Sequence, residues 1–487
     1  MAAGGYAGSK RDSMQEKNTS TTEPRLQRAL NLWDLVLLNV ASIVGLSSLA
    51  QVAQFGFASL PLYVLAILVF LIPSGLMVAE LNARMPEQGG FYLWTREAFG
   101  DWHGYVAAWT YWLSNIVWLP TVILLVSISC LYALGDSWLG LVDNPWYNGA
   151  VCVGLLWLTT VLNILGLARA KWVQNMGATA TWMCIGLLLV VGLVFVGQHG
   201  SVHPFSPDRL VPDFTDFSVL PFFAFVAFCF GGFELAPIMA GEVQDARRNI
   251  PRAIVISSIA VGLFYMVGTL MLVVTVAEGE VGVIEGVAQA FHEMGLAMGR
   301  PGIGSVGAIL VAVSTMGLFG AWMSGTARVP FVIGLDRYLP RVLGRIHPRW
   351  GSPYVSLLMQ GVVLTVLVIA SIVGSTVKEA YLVLLGMSVI LYFIPFLYMF
   401  AALVWHLHHD TGGEGMIPIF QKSMAPVWVV AALGFGITLF SILISVVPTR
   451  EVENKGLFVA KVVGGAALLI AAGLIVYYAR RRKAAPL

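Results

Sequence analysis

The sequence is poor in charge. Only 11% of its 487 residues are Asp, Glu, Lys or Arg, well below the roughly 25% of soluble domains, while 58% are hydrophobic and the mean hydropathy is +0.81. This balance predicts a polytopic membrane protein and excludes an ordinary soluble domain. The charges also nearly cancel, with 28 Lys and Arg against 26 Asp and Glu, so a nucleic-acid partner is not expected.

Cysteine is scarce as well. All four cysteines fall within apolar segments, where neither the paired spacing of a metal cluster nor the exported loop of a structural disulfide is found. We therefore expect packing roles and no metal. The four are Cys130, Cys152, Cys184 and Cys229.

Three further absences narrow the class of function. The first 30 residues contain no apolar core of the signal-peptide kind, so the first span is expected to direct insertion. No nucleotide-binding loop supplies ATP energy, since residues 302–307 fit a dinucleotide pattern only where a membrane helix opens. The spans hold Glu234 and almost no other deep acid, so the facing catalytic pair of an intramembrane enzyme is missing. We expect a protein that is not an enzyme and needs no cofactor.

The chain does contain a series of long apolar runs. A membrane core about 30 Å thick needs about 20 apolar residues per helix, and such runs can be placed twelve times. With the amino terminus in the cytoplasm, that side collects most of the Lys and Arg, so both termini are predicted inside. The predicted spans are 34–56, 60–83, 102–134, 147–167, 173–197, 217–241, 252–277, 303–329, 353–373, 379–405, 425–447 and 457–479.

Two spans contain breaks at similar depth. The first holds a run of small and hydroxyl residues at 41–48, and the sixth holds Gly231 and Gly232 followed by Glu234. A carboxylate near the bilayer centre costs about 2.5 to 3.5 kcal/mol and a glycine pair loosens a helix, so both need compensation from protein or water. Matched breaks predict an all-α fold of two inverted five-helix repeats, with a ligand site at the midplane and spans eleven and twelve as accessories.

Other polar features have simpler interpretations. The amphipathic stretches 90–99 and 287–292 are predicted as interfacial helices. Lys171, beside Arg169 at the edge of span five, is interpreted as a positive-inside anchor and not as a coupling lysine. The histidines from His406 onward are more typical of a dipole contact at a helix end than of a metal site.

Four stretches carry motifs that belong together. Residues 86–92 resemble a P-x-x-G-G-x-Y segment, and residues 240–251 resemble an A-G-x-V…N-P-x-R-x-x-P stretch. Trp322 with residues 339–340 resembles an eighth span and its exit, and residues 394–403 resemble a tenth span. Jointly they resemble the amino acid, polyamine and organocation transporter family, and most closely its bacterial arginine/agmatine antiporter-like branch. The resemblance implies a LeuT-type arrangement with broken spans one and six.

The resemblance also implies roles for individual residues. Phe228 matches an aromatic gating residue on span six, and Trp322 matches an aromatic residue at the pocket floor. Asn115 matches a polar substrate contact on span three, and Ser388 resembles a serine of the same site on span ten. Glu234 is similar to a glutamate implicated in proton sensing. Aromatic packing and interhelical hydrogen bonding are the structural alternatives for these residues.

Span one departs from the family pattern. The family shows a G-S-G-type motif whose freed amides bind the substrate carboxylate, whereas this chain has Gly45, Leu46 and Ser47. Leucine keeps the backbone donor and adds bulk, which leaves carboxylate binding open. With Glu234 as the proton-coupling residue, the predicted substrate-binding set is Ser42, Ile43, Gly45, Leu46, Ser47, Asn115, Phe228, Gly231, Gly232, Trp322 and Ser388.

These features predict a secondary active transporter, a permease or antiporter, of the bacterial inner (plasma) membrane. It would move amino acids or related amines by alternating access, with protons or a counter-substrate as its partner. A polyamine or organocation transporter, a channel and a transporter-like sensor stay open as alternatives, and a homodimer is among the allowed assemblies. The predicted division is a cytoplasmic tail 1–32, a transporter core 33–410, a cytoplasmic loop 411–424, an accessory pair 425–479 and a basic tail 480–487.

Overall fold

The computed structural model describes residues 28–203, 205–212, 219–276, 281–282, 284–336, 338–372, 377–411, 414–447 and 454–484. Most of the predicted amino-terminal tail and the last three residues of the basic tail lie outside this part. Within it the chain is helical, apart from loops and one isolated bridge between Leu30 and Val243. The α-helices are α1 Leu32–Ile43, α2 Leu46–Ala53, α3 Ser59–Ala66, α4 Ile72–Arg84, α5 Phe91–Phe99, α6 Asp101–Leu134, α7 Pro145–Ile164, α8 Leu167–His199, α9 Val219–Cys229, α10 Leu235–Ile238, α11 Ala246–Thr275, α12 Gly286–Ala297, α13 Gly302–Thr326, α14 Arg328–Leu335, α15 Tyr354–Ile372, α16 Val377–His408, α17 Pro418–Lys422, α18 Met424–Ile444 and α19 Lys455–Ala484.

The long helices account for most of the predicted spans. Among the described residues, nine helices are long and apolar enough to cross a membrane, and the bent pair α1 and α2 adds a tenth. Two shorter apolar helices, α9 and α15, coincide with predicted spans six and nine. The all-α membrane class is confirmed, while the count of twelve, the cytoplasmic termini and the domain division stay predictions.

The first break separates α1 from α2. Helix α1 begins with a capping box, in which the Asn31 side chain accepts from the amides of Trp33 and Asp34, and Asp34 accepts from the Asn31 amide. It ends at Ile43, where two residues of extended backbone lead into α2 at a bend of 42°. The break predicted within residues 41–48 is therefore confirmed and is limited to two residues.

The second break follows α9. The chain leaves the helix after Cys229 and resumes only in the four-residue α10. Gly232 has φ +136°, which disfavours any side chain, and a Cβ there would lie 2.7 Å from Cγ1 of Ile43. A Cβ on Gly231 would lie 2.2 Å from the Tyr392 hydroxyl oxygen. One glycine thus permits the turn, and both permit the close approach of α1 and α16.

Helices α8 and α13 pack backbone to backbone. A Cβ added to Gly177 would lie 2.3 Å from the Cα of Gly317, so neither position has room for a side chain. One turn away, the hydroxyls of Thr181 and Ser314 share a 2.6 Å hydrogen bond. Small residues and a hydroxyl pair are the usual means of joining helices in a membrane.

Both predicted amphipathic stretches are helices, α5 and α12. Helix α5 is attached to the end of α14, where the Tyr92 hydroxyl and the Arg96 guanidinium both donate to one Asp336 carboxylate oxygen, at 2.6 and 2.5 Å. Burial, together with the Asp336 carboxylate, raises the pKa of the Tyr92 hydroxyl above its ordinary value, so this donor keeps its proton at neutral pH.

The chain after α16 is attached to α4. The buried Glu80 carboxylate accepts hydrogen bonds from the amides of Met416 and Ile417 and from Nε of Arg84, each at 2.9 Å. Arg84 also lies 3.2 Å from the Asp410 carboxylate. Side chains of span two therefore position the connection between α16 and α18.

His406 and three of the four cysteines are buried within the protein. His406 is fully buried, and its ring nitrogens lie 2.8 Å from the Trp94 carbonyl oxygen and 2.6 Å from the Thr411 hydroxyl. The four cysteines are free thiols, three of them buried, in agreement with packing roles. In the described part of the chain, no three or more His, Cys, Asp or Glu side chains are grouped as metal ligands.

Candidate functional site

The two breaks face each other across a small cavity. The space open to the centres of water molecules is about 30 Å³, room for about two waters. None of the side chains described around it is charged. It is lined by Ser42, Ile43, Gly45, Ser48, Ser114, Asn115, Trp118, Phe228, Cys229, Gly231, Tyr265, Trp322 and Tyr392.

Tyr265 of α11 connects the two breaks. Its buried hydroxyl oxygen lies 3.1 Å from the amide nitrogen of Gly45, 2.7 Å from the Ile43 carbonyl oxygen and 3.2 Å from the Cys229 carbonyl oxygen. The oxygen accepts from the Gly45 amide, while its single proton is directed to one of the two carbonyls. Backbone groups freed by the unwinding of both helices are thus satisfied by one side chain.

Four aromatic rings form a closed circle at the cavity, which we call the aromatic box: Trp118, Phe228, Tyr392 and Trp322. Neighbouring ring centroids lie 6.3 Å apart for Trp118 and Phe228, 5.2 Å for Phe228 and Tyr392, 6.4 Å for Tyr392 and Trp322, and 5.5 Å for Trp322 and Trp118. All four contacts are edge-on, an arrangement that aromatic pairs prefer. The box brings together rings of α6, α9, α13 and α16.

Trp322 also contacts the first break. Its indole nitrogen donates to the Ser42 carbonyl oxygen at 2.8 Å. This carbonyl belongs to the last turn of α1, where carbonyl groups lack N–H donors from the helix. The box is therefore tied to the end of α1.

The polar wall of the cavity comes from α6. The side-chain nitrogen of Asn115 donates to the Tyr111 carbonyl oxygen at 2.8 Å, and the Ser114 hydroxyl donates to the same oxygen at 2.7 Å. Because the amide nitrogen of Asn115 is used within its own helix, the carbonyl oxygen of its side chain is the group left for a ligand.

Glu234 lies just behind the box and does not line the cavity. One carboxylate oxygen accepts from the hydroxyls of Tyr111 and Tyr392, at 3.0 and 2.5 Å, and the other accepts from the Gly232 amide at 3.0 Å. The side chain is buried, with 1% of its surface exposed. The ring of Tyr392 is part of the box and its hydroxyl donates to this carboxylate, so Tyr392 links the two.

Two further contacts lie near the ends of the first broken span. Beyond α2, the Phe55 and Phe222 rings stack with centroids 3.4 Å apart. Toward the amino end of α1, Lys171 pairs with the Asp34 carboxylate at 2.8 Å and also donates to the Ala29 carbonyl oxygen. Lys171, which the sequence predicts to be a positive-inside anchor, thereby holds α1 to α8.

A buried ion pair also lies near the amino end of α1. The Arg328 guanidinium donates through two nitrogens to the Glu242 carboxylate, and each side chain is only 2% exposed. The backbone of Glu242 in turn accepts from the Leu30 amide at 3.1 Å. The chain that precedes α1 is thereby connected to α14.

Seven of the predicted binding residues line the cavity, and their binding of substrate stays a prediction. Four others lie beside it. Leu46 and Ser47 begin α2, Gly232 packs against Ile43, and the Ser388 hydroxyl donates to a carbonyl of its own helix at 2.7 Å. The seven are Ser42, Ile43, Gly45, Asn115, Phe228, Gly231 and Trp322.

Six lining residues were not predicted from the sequence. Helical spacing would have found two, since Trp118 lies three residues after Asn115 on α6 and Tyr392 lies four residues after Ser388 on α16. Ser114 is the chain neighbour of Asn115. Tyr265 had no sequence signal, because its role depends on where α11 crosses the breaks. The remaining two are Ser48 and Cys229.

Comparison with known proteins gives the family. The model of the amino acid permease family matches residues 30–468. An uncharacterized transporter of Legionella pneumophila is 28% identical over 442 residues, covering 90% of this chain and 94% of the relative. A probable agmatine/putrescine antiporter of Lactococcus lactis is 22% identical over 76% of this chain and 78% of its own length. A glutamate/gamma-aminobutyrate antiporter of the same organism is 21% identical over 80% and 77%.

The fold agrees with a solved structure. MhsT in complex with L-phenylalanine matches with a TM-score of 0.60 at 14% identity, over 93% of this chain and 100% of that chain. This likeness supports the LeuT-type fold with broken spans one and six. The chain belongs to the amino acid permease family and is a multi-pass secondary transporter of amino acids or amines in the bacterial plasma membrane.

Proposed function

We propose that the cavity between the two breaks is the substrate site and that it takes an α-amino acid. The observation that carries the proposal is the pairing of two helix ends of opposite polarity across one cavity. The amino end of α2 bears partial positive charge, and the carboxyl end of α9 bears partial negative charge. A zwitterion bound between them would direct its carboxylate toward α2 and its ammonium toward α9.

The carboxylate end of this site is made of backbone. Helix α2 begins with the amides of Leu46 and Ser47, for which the structure shows no protein acceptor among the described residues. A leucine at this position keeps its N–H group, so the departure from the family pattern does not remove the donor. The bulk of Leu46 is directed into the core, where it is 2% exposed.

The aromatic box receives the substrate side chain in this proposal. Its rings offer apolar area, and their faces attract an amino or guanidinium group by about 0.5 to 2 kcal/mol. A second candidate follows from the same rings: an amine without a carboxylate. The agmatine/putrescine relative favours it, and the lack of a charged residue among the described cavity-lining side chains disfavours it.

We propose further that protons act through Glu234. The carboxylate is buried behind the box and shares Tyr392 with it, so a change in its protonation would alter the hydrogen bond that holds one wall of the site. Protonation removes an acceptor and supplies a donor, which both tyrosine hydroxyls would sense.

A homodimer is the proposed assembly, and the mass of the detergent-solubilised protein tests it.

Counterflow in proteoliposomes tests the substrate proposal. Vesicles loaded with unlabelled alanine, leucine, glutamate, agmatine or putrescine are exposed to the same labelled compound. We expect saturable exchange with at least one amino acid and weaker exchange with the two amines. Exchange of amines alone would support the second candidate, unsaturable flux would identify a channel, and binding without flux would identify a sensor.

A further inference from the structure

Trp118 differs from the other three rings of the aromatic box in how it is held. Trp322 donates to the end of α1, Tyr392 donates to Glu234, and Phe228 belongs to the last turn of α9 before the second break. Trp322 and Phe228 are thus linked to the two helix breaks, and Tyr392 is linked to the ionisable Glu234. Trp118 stands on α6, a single continuous helix of 34 residues.

The Trp118 indole nitrogen is also unlike that of Trp322. The structure shows no protein acceptor for it among the described residues, whereas Trp322 is fixed by its 2.8 Å bond to Ser42. Trp118 is held by its edge-on contacts with Phe228 and Trp322 alone within the box. Its position is therefore decided by packing and not by hydrogen bonding.

Trp118 reaches the cavity beside the polar wall. It lies three residues after Asn115 and four after Ser114, so all three share one face of α6. Asn115 and Ser114 provide hydrogen-bonding groups next to it, and the large indole fills the space further along the same face. The same face of α6 therefore carries polar groups, from Ser114 and Asn115, and a bulky ring, from Trp118, that limits the space beside them.

We propose that Trp118 is the residue that determines which substrate side chains are accepted, and that it restricts the site to compact ones. This inference rests on the proposed substrate site. The cavity has room for about two waters, and the Trp118 ring forms one of its walls without participating in the breaks. Its substitution should therefore change which substrate is preferred.

The test compares Trp118→Ala and Trp118→Phe with the wild-type transporter in proteoliposomes. Labelled glycine, alanine, leucine, phenylalanine and tryptophan are each exchanged against the same unlabelled compound. Because one methylene in an apolar pocket changes kcat/KM by about 10 to 200-fold, we expect Trp118→Ala to favour the bulky members over alanine by at least about tenfold. Trp118→Phe should lie between, with the change mainly in KM.

Two controls separate size selection from general damage. Trp138 is 47% exposed and does not line the cavity, so Trp138→Phe should leave the order of preference unchanged. Thermal unfolding of each variant confirms that it is folded.

The outcomes distinguish this inference from the function on which it rests. Wild-type protein that exchanges none of the amino acids contradicts the proposed substrate and this inference with it. Wild-type exchange with the same order of preference in folded Trp118→Ala and Trp118→Phe overturns only the role of Trp118. A uniform loss across the series in both variants also overturns it, because a size limit acts on bulky substrates alone.

Discussion

The hydroxyl of Tyr265 accepts a hydrogen bond from the amide of Gly45 at 3.1 Å, at the centre of the first helix break. The same hydroxyl lies within hydrogen-bond distance of a carbonyl from each broken helix. Unwound backbone inside a membrane needs such partners, because no lipid group can supply them. Tyr265 therefore joins the halves of the site that the two repeats contribute.

Tyr265→Phe should reduce transport strongly. Loss of the hydroxyl leaves the Gly45 amide and one of the two carbonyls without its partner, at about 1 to 3 kcal/mol per unsatisfied group. We expect an initial counterflow rate at least about tenfold lower and a lower unfolding temperature. Tyr63→Phe is the matched control, since Tyr63 is also buried and its hydroxyl has a single hydrogen-bond partner, Thr269, among the described residues. Equal rates in the two variants would contradict the role of Tyr265.

Glu234→Gln should flatten the pH dependence of transport. The amide cannot titrate, and its oxygen can still accept from the Gly232 amide while its NH₂ group donates to the tyrosine hydroxyls. The rate is measured from pH 5 to 8 with surface expression as the control. Tyr392→Phe removes one donor to the carboxylate without removing the acid, so pH dependence should persist in it. An unchanged profile in Glu234→Gln would exclude proton sensing by this residue.

The buried pair of Arg328 and Glu242 should respond asymmetrically to substitution. Removal of one partner leaves an uncompensated buried charge, which costs about 3 to 5 kcal/mol. Arg328→Met and Glu242→Gln are each expected to lower the unfolding temperature. The effect should be larger for Arg328→Met, because the glutamine keeps an oxygen that can accept from the guanidinium, which also donates to Ser324. The double variant Arg328→Met with Glu242→Gln should regain part of the loss. Additive losses would show that the pair is not coupled.

The contact between α8 and α13 predicts a sharp difference between two glycines. Gly177→Ala places a methyl group 2.3 Å from the Cα of Gly317, so the helices must separate. Gly186→Ala, on the same helix, meets nothing within 4 Å. We expect a clearly lower unfolding temperature for the first variant and little change for the second, measured by intrinsic fluorescence. Similar stabilities would show that the helices part without penalty.

The sequence predicted the architecture because membrane helices leave strong local signals. Apolar runs of about 20 residues are visible without tertiary knowledge, and so are breaks such as Gly231 with Gly232. The family motifs then placed Phe228, Asn115 and Trp322, all of which line the cavity. These positions lie within the broken span six or on the helices that flank it, where a local pattern is informative.

Contacts between distant spans were not predictable in the same way. The sequence groups Lys171 with the other Lys and Arg residues of the cytoplasmic side. Its pairing with Asp34 depends on the crossing of α1 and α8. Tyr265 lies in an unremarkable stretch of α11, about 220 residues along the chain from the amide that it binds. Ser388 carries a plausible polar group, yet its hydroxyl is used by its own helix. Side-chain direction, which the sequence does not encode locally, decided each case.

The attachment of Glu80 to the backbone at Met416 and Ile417 has a mechanical consequence. The connection that leads to α18 is fixed to α4 as well as to the end of α16. Any tilt of α4 during the transport cycle would therefore be transmitted to α17 and the start of α18. A fluorophore at the exposed Trp428 would report on movements of span two from the periphery of the protein, without a label near the substrate.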